Sequence, residues 1–207
     1  MVLRTFIALS LRFIDRRAHS ETATWDRDHI DPASGTEPFG CRSAENRFRA
    51  VPLSDLRHRT AVRAALAQDT ARAQLPGGQD LIAAQEAEIM NPAPFMRTLG
   101  SRDYGTGNVY EMRTYTYAPG DIPKVLDGWA NAISAREQHS PLAACWTSEL
   151  GGLNKFVHTW VYKDLNERAR VREASRQAGG AWPPQTGVRP IRQTNKLLIP
   201  AAFSPVR

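Results

Sequence analysis

The pattern of apolar and polar residues changes character within the segment VYEMRTYTYAPGDIPKVLDGW, residues 109–129. Residues 109–117 are rich in aromatic and β-branched side chains, which is typical of a β-strand. Pro119 and Gly120 end that strand, and Asp121 is placed to cap a helix. The next apolar residues recur at helical spacing and predict one buried helix face: Ile122, Val125, Leu126, Trp129 and Ile133.

Similar patterns predict the rest of this half of the chain. Residues 142–150 and 154–162 form two strands, and the double glycine between them makes them a hairpin. Asp164 caps a second helix, with Glu167 completing a capping box. Residues 192–200 form the last strand. The resulting order, β-α-β-β-α-β, is that of the ferredoxin-like split unit.

Three short segments recur along the chain at nearly constant spacing. DLRHRTAVRAAL begins at residue 55 and resembles DLNERARVREAS, which begins at residue 164. QEAEIMNPAPF from residue 85 resembles QTNKLLIPAAF from residue 193, and LRTF from residue 3 resembles MRTY from residue 112. The three spacings are 109, 108 and 109 residues, which predicts a tandem duplication.

The duplication divides the chain into a degenerate first ferredoxin-like unit, residues 1–98, and a better matched second unit, residues 107–207. Residues 8–52 carry none of the strand periodicity found at 143–162. Either this part of the first unit has diverged or its coding sequence is out of frame. The nucleotide sequence would distinguish the two alternatives.

A four-stranded sheet of this kind has helices on one face, and its other apolar face must pack against something. We therefore predict an α+β fold in which tandem ferredoxin-like βαββαβ units close, sheet against sheet, into a barrel of the dimeric α+β-barrel type. The mismatch in the first unit leaves open whether the chain closes this barrel alone or with a second chain.

Three segments of the second half resemble the NIPSNAP family, which belongs to the dimeric α+β-barrel superfamily. They are VYEMRTYTYAPGDIPKVLDGW, CWTSELGGLNKFVHTWVYKDLNERARVRE and the closing LLIPAAFSPV. The resemblance covers residues 110–207 closely and residues 50–96 more weakly. It implies little about activity, since animal members are mitochondrial and linked to vesicle trafficking and mitophagy signalling, while bacterial members mostly lack an assigned activity.

Three functions are therefore considered for the chain. The first is a barrel without catalytic activity that binds a small ligand or a protein partner. The second is a cofactor-independent enzyme, monooxygenase-like or isomerase-like by analogy with relatives of the fold, although a shared fold does not transmit function. The third is an oligomeric interaction module, a homo-oligomer. No cofactor is expected.

Alternation along the predicted strands brings polar side chains to shared faces. If these faces converge inside the barrel, they form a small-molecule site with apolar walls. The candidate proton-handling or orienting residues are Glu111, Arg113 and His158, and the candidate ligand-binding residues are Tyr115, Trp160, Gln193 and Asn195.

These residues also have structural interpretations. Glu111 and Arg113 can pair with each other or across the sheet. His158, placed among aromatic residues, can be a structural histidine with satisfied hydrogen bonds. Glu149, beside the double glycine, is expected to shape the hairpin.

Two further patterns are not expected to form sites. The segment DRDHID, residues 26–31, resembles metal ligands in composition but lacks the spacing of a known site, so no metal is expected. Arg168, Arg172 and Arg176 form one stripe along a helix, which could hold phosphates. Such a stripe is typical of a solvated helix face, and without accompanying aromatic residues it does not predict a nucleic-acid partner.

Composition adds few constraints. The chain has 207 residues, 42% hydrophobic and 23% charged, with a net charge of +6, as expected of a folded domain. The sequence contains no run of about 18 apolar residues, so no membrane span is predicted. Cys41 and Cys145 are interpreted as free thiols in a reducing compartment, which favours the cytoplasm, or mitochondria if the source is eukaryotic. Residues 1–25 interleave arginines with apolar residues, as transit peptides and folded amphipathic segments both do.

Overall fold

The computed structural model describes residues 5–13, 39–42, 46–68, 82–201 and 204. The strands are β1 (Thr5–Phe13), β2 (Phe39–Arg42), β3 (Asn46–Leu53), β4 (Ile82–Pro92), β5 (Val109–Thr116), β6 (Leu142–Leu150), β7 (Lys155–Tyr162) and β8 (Arg192–Pro200). The helices are α1 (Leu56–Gln68), α2 (Ile122–Glu137) and α3 (Leu165–Gln177). Among the described residues, none of the three helices has the length and hydropathy of a membrane span. The segment DRDHID lies outside the described residues, as does most of the arginine-containing segment 1–25.

The eight strands close into one antiparallel barrel in the order β1-β3-β2-β8-β5-β7-β6-β4. In each half the fourth strand pairs with the first, the first with the third, and the third with the second, which is the ferredoxin-like order. The halves join where β2 pairs with β8 and β4 pairs with β6. The predicted α+β barrel is confirmed, and it closes within a single chain.

The positions of the helices and the pairing of the strands agree with the spacing of two of the three recurring segments. Helices α1 and α3 begin 109 residues apart. Phe6 pairs with Met90 in the first half as Tyr110 pairs with Leu198 in the second, and Met90 and Leu198 are 108 residues apart. Phe6 and Tyr110 are only 104 residues apart, so Phe6 and Tyr115, the last residues of LRTF and MRTY, do not occupy equivalent positions. The duplication itself stays a prediction.

Side chains from both halves fill the interior of the barrel. Its core consists of Ala50, Met90, Tyr110, Met112, Ala143, Ala144, Trp146, Val157, Val161 and Leu198. The two largest, Tyr110 and Trp146, are fully buried. In the part of the chain that the structure describes, the interior is therefore a packed apolar core, held together by the hydrophobic effect.

A second apolar cluster lies on the outer face of the second sheet, by which we mean the part of the barrel formed by β5 to β8, and beneath α2 and α3. It includes Val125, Trp129 and Ile133 of α2, Val171 of α3, and Phe156, Trp160 and Tyr162 of β7. Side chains alternate along a strand, so the residues between those of the inner core face these helices. This outer face carries the polar residues described below.

Helices α2 and α3 begin in different ways. The Asp164 carboxylate accepts a hydrogen bond of 2.7 Å from the Glu167 N–H, as predicted for a cap of α3. The Glu167 carboxylate in turn accepts from the N–H of Lys163, one residue earlier than in a standard capping box. The predicted Asp121 cap is wrong: its dihedral angles are already helical, and its side chain makes no capping hydrogen bond, because capping requires an extended conformation.

Candidate functional site

The predicted site residues lie on the outer face of the second sheet and not inside the barrel. Arg113 of β5 lies opposite His158 of β7, and the His158 ring is 4.5 Å from the ring of Trp129 on α2. The alternation of faces along each strand was predicted correctly. The expected convergence in the barrel interior was wrong, because the apolar face closes the barrel and the face with polar residues is covered by helices.

A pocket of about 160 Å³, which we call the outer pocket, lies between this sheet face, the two helices and the segment that follows α3. Its aromatic walls are Tyr115, Trp129, Trp160, Tyr162 and Trp182. Its polar walls are Arg113, Arg136, His158, Arg172, Ser175 and Arg176. The structure thus brings together four of the predicted residues with several that were not predicted.

The segment after α3 closes the outer pocket because α2 contains a glycine at the point of contact. A Cβ atom on Gly128 would lie 2.9 Å from a methyl carbon of Thr186 and 3.1 Å from the Gln185 carbonyl oxygen, which is too close for any larger residue. The close contact between α2 and this segment places the Trp182 ring edge-on to the Trp129 ring, with 5.1 Å between the ring centroids.

Glu111 is a fully buried carboxylate surrounded by guanidinium groups. Its Oε1 accepts a 2.6 Å hydrogen bond from Arg168 and lies 3.7 Å from Arg113, while its Oε2 lies 3.6 Å from Arg172. Burial raises the pKa of Glu111, but the Arg168 hydrogen bond and the three positive charges outweigh it and hold the pKa below its usual value. The predicted pairing with Arg113 is confirmed as part of a larger ionic network.

His158 is 2% exposed, and its two ring nitrogens differ in environment. The Trp160 indole donates a 2.8 Å hydrogen bond to His158 Nδ1. Since an indole N–H can only donate, Nδ1 is the acceptor and the proton of the neutral ring is on Nε2. No described residue accepts a hydrogen bond from that Nε2–H. His158 is thus an incompletely satisfied donor at the pocket wall, not the fully satisfied histidine of the structural interpretation.

The charge of His158 is determined by its surroundings. Burial lowers the pKa of His158 well below its usual value, and the positive charges of Arg113, Arg136 and Arg172 lower it further. The ring is therefore neutral at physiological pH and presents an N–H donor.

Arg136 is a buried cation, with 3% of its surface exposed. It donates hydrogen bonds to the Ser140 hydroxyl at 2.8 Å and to the Tyr162 hydroxyl at 3.1 Å. Its guanidinium carbon lies 4.2 Å from the ring centroid of Trp160, a cation–π contact. All of these partners are neutral.

The arginine stripe on α3 was expected to be solvated, and for Arg168 and Arg172 that expectation was wrong. Both side chains extend over the sheet to Glu111 and are 24% and 34% exposed. A buried carboxylate on β5 draws them inward, since a buried charge requires a partner. Arg176, the third, is mostly exposed, lies at the pocket rim and pairs with Glu173 on its own helix.

Gln193 and Asn195 do not line the outer pocket. Both are exposed on β8, although Asn195 Nδ2 lies 3.4 Å from Glu111 Oε1. Their role in ligand binding stays a prediction. Glu149 lies away from the pocket, where it accepts a 2.9 Å hydrogen bond from Asn91 of β4.

Sequence reasoning did not find Trp129, Arg136, Ser175 and Trp182. Trp129 was assigned to a buried helix face and is there, but it is also a pocket wall. Arg136 follows Trp129 by seven residues and therefore lies on the same helix face, which is a signal that the sequence contains. Nothing local indicates Trp182, whose position depends on the packing of its segment against α2.

The second half of the chain matches the family model described as NIPSNAP, over residues 110–205. It is 36% identical over 101 residues to Protein NipSnap of Drosophila melanogaster, a match that covers 47% of this chain and 37% of the fly protein. The whole chain is 32% identical over 166 residues to Protein NipSnap homolog 3A of Homo sapiens, a match that covers 77% of this chain and 66% of the human protein. The chain therefore spans little more than a third of the fly relative.

Two solved structures illustrate the similarity at different levels. An uncharacterized NIPSNAP domain protein from Burkholderia xenovorans is 34% identical, and the match covers 47% of this chain and 98% of that one, with a TM-score of 0.41. A protein from Fusobacterium nucleatum, provisionally named a monooxygenase, is 10% identical, and the match covers 98% of this chain and 94% of that one, with a TM-score of 0.64. At that identity the second likeness supports the barrel fold alone.

Proposed function

Because this chain belongs to the NIPSNAP family, a membership that names no reaction, we propose from the site geometry that its second half binds a small molecule in the outer pocket. The barrel acts as a rigid support, and the ligand lies between its outer sheet face and α2 and α3. The observation that carries this proposal is the His158 Nε2–H, a buried donor without a described partner at the wall of a pocket of about 160 Å³. Buried polar groups in folded proteins nearly always have a partner.

The geometry supports binding more strongly than proton transfer. Catalytic bases work best when their pKa is near the working pH, but Glu111 is held ionised by three arginines and His158 is held neutral. The lone pair of His158 Nδ1 already accepts the Trp160 hydrogen bond, so neither ring nitrogen is free to take a proton from a substrate. His158 is therefore proposed to orient a ligand by donating a hydrogen bond.

The size of the pocket limits the ligand. A cavity of about 150 Å³ accommodates a benzene molecule, so the ligand, or the part of it that enters, has the size of a single six-membered ring with a small substituent. Five aromatic side chains line the pocket, which favours a planar group.

A protein partner and a homo-oligomer are further proposals for the remaining surface. Sedimentation velocity of the intact chain tests the homo-oligomer. We also propose a reducing compartment, either the cytoplasm or, in a eukaryotic source, mitochondria, in which the buried thiol of Cys145 would stay free.

The proposal is tested with the intact chain and two ring-sized probes, benzoate and its neutral analogue benzamide. Trp129, Trp160 and Trp182 line the pocket, so their fluorescence reports on occupancy. We expect at least one probe to change the fluorescence in a saturable way. Absence of saturable change with both probes would contradict the proposal.

A filling variant verifies the location. Ser175→Leu extends a buried α3 side chain into the pocket and should abolish the response. Gln177→Leu, which introduces the same side chain at an exposed position of α3, should leave it unchanged. Circular dichroism of both variants establishes that α3 is intact.

A further inference from the structure

The outer pocket has a large excess of positive charge. Glu111 is the one carboxylate that the described residues contribute to the network, and it lies within 3.7 Å of three guanidinium groups, those of Arg113, Arg168 and Arg172. Arg136 adds a fourth. Four positive charges against one negative charge leave an excess of three in the outer pocket and the Glu111 network beside it.

Arg136 is the group that most requires a counter-ion. It is 3% exposed, and its hydrogen bonds go to two hydroxyl groups rather than to a carboxylate. Burying a charge is costly unless it is paired. An anion in the outer pocket would supply the missing pairing, and it would also be attracted to Arg113 and Arg172 on the facing walls.

The remaining walls define the rest of the ligand. Trp129 and Trp160 lie with their ring planes 28° apart and their centroids separated by 6.1 Å, and Trp182 meets both rings edge-on. Such surfaces favour planar rings. The neutral His158 Nε2–H adds a donor from which a carboxylate or a ring heteroatom can accept a hydrogen bond.

We propose that the outer pocket takes a small planar aromatic or heteroaromatic carboxylate, with its anionic group toward Arg113, Arg136 and Arg172 and its ring against the tryptophans. A carboxylate fits because a guanidinium group binds it through two parallel hydrogen bonds. This inference rests on the proposed function that the outer pocket binds a small molecule, and it specifies the chemical class.

The experiment titrates the intact chain with four probes: benzoate, benzamide, benzylamine and inorganic phosphate. Benzamide has nearly the shape of benzoate without its charge, benzylamine reverses the charge, and phosphate has the charge without the ring. Because charge-assisted hydrogen bonds are roughly twice as strong as neutral ones, we expect benzoate to bind at least about tenfold tighter than each of the others.

A matched pair of variants on α3 tests the role of charge. Arg172→Gln removes one wall charge from a partly exposed side chain and should weaken benzoate binding by about tenfold, as for loss of one charge-assisted hydrogen bond, with benzamide binding unchanged. Arg170→Gln makes the same change two residues earlier, where the side chain is 74% exposed. It should leave both affinities unchanged.

The outcomes separate this inference from the proposed function. If benzamide binds as tightly as benzoate, the pocket is a ligand site but the anionic class is overturned. If phosphate binds as tightly as benzoate, the aromatic part is overturned. If neither benzoate nor benzamide binds, the proposed function itself fails. If Arg170→Gln weakens benzoate as much as Arg172→Gln does, the assignment of the anion to the pocket wall is overturned.

Discussion

At the scale of single residues, the site is defined by two groups whose surroundings hold their pKa values below the usual ones. Glu111 is ionised although it is completely buried, because Arg168, Arg113 and Arg172 surround it. His158 is neutral because it is buried among arginines. Removing one partner of a buried ion pair typically costs about 3–5 kcal/mol, so this network constrains both the stability of the second half and its chemistry.

The buried neutral state of His158 predicts a pH dependence of stability. The pKa of the folded-state ring lies below the unfolded value of about 6.5. Above that pH neither state is protonated at this ring and the histidine adds no slope. Below it, the unfolded chain takes up a proton that the folded protein excludes, so the free energy of unfolding should fall by about 1.4 kcal/mol per pH unit.

The measurement is urea unfolding of the wild type and of His158→Asn at several pH values between about 6.5 and about 5, where most carboxylates remain ionised. Asparagine keeps an acceptor for Trp160 near the position of Nδ1 but cannot titrate. The variant should lose the slope attributable to this ring. Equal slopes in the two proteins would show that His158 is not the titrating group.

At the scale of elements, α3 is the component that assembles the site. It contributes Arg168 and Arg172 to the Glu111 network and Ser175 to the pocket wall. Its apolar contribution is small, since Val171 and Ser175 are its only buried residues. Its position therefore depends strongly on polar contacts, including the hydrogen bonds at its N-terminus.

Asp164→Ala removes the capping bond of α3, which is worth about 1 kcal/mol. The free energy of unfolding should fall by that amount, and benzoate should bind more weakly because the first turns of α3 fray. The matched control is Asp121→Ala, whose side chain does not cap α2 and whose loss should change stability by no more than about 0.5 kcal/mol. Equal losses in the two variants, from thermal or urea unfolding, would refute this account of the cap.

At the scale of the whole molecule, the barrel and the outer pocket are separate structures that share a sheet. The apolar faces of the two halves are buried together in one core, and the sheet's opposite face is buried by helices to form the site. A sheet covered on both faces can hold polar residues rigidly on one of them while the other provides most of the apolar burial.

Leu198→Ala tests this separation. Leu198 is 1% exposed in the barrel interior, and truncating a buried leucine costs about 2–5 kcal/mol. Because the side chain points away from the outer pocket, benzoate affinity should change by less than about twofold, as expected for independent sites. A loss of affinity above about tenfold in a variant that remains folded would place the ligand inside the barrel instead.

The amino-acid sequence by itself determined the elements and the faces of the second half. The period of two along residues 109–117 and 154–162 separated Tyr110 and Met112 from Glu111 and Arg113, and the helical period placed Trp129 on a buried face. These are local properties, since alternation follows from backbone geometry and from which side chains avoid water. Together with the recurring segments, they also predicted the α+β barrel.

Only the tertiary structure decided which face became the site. Both sheet faces contain large apolar side chains, and a periodic pattern does not say whether a face meets a helix or another sheet. The positions of Arg172, Arg136 and Trp182 around His158 depend on how α2, α3 and the following segment pack over the sheet. Such long-range packing joins residues far apart in sequence. It draws Arg168 and Arg172, which were expected to be solvated, inward to Glu111, and it makes Arg172 part of the pocket wall.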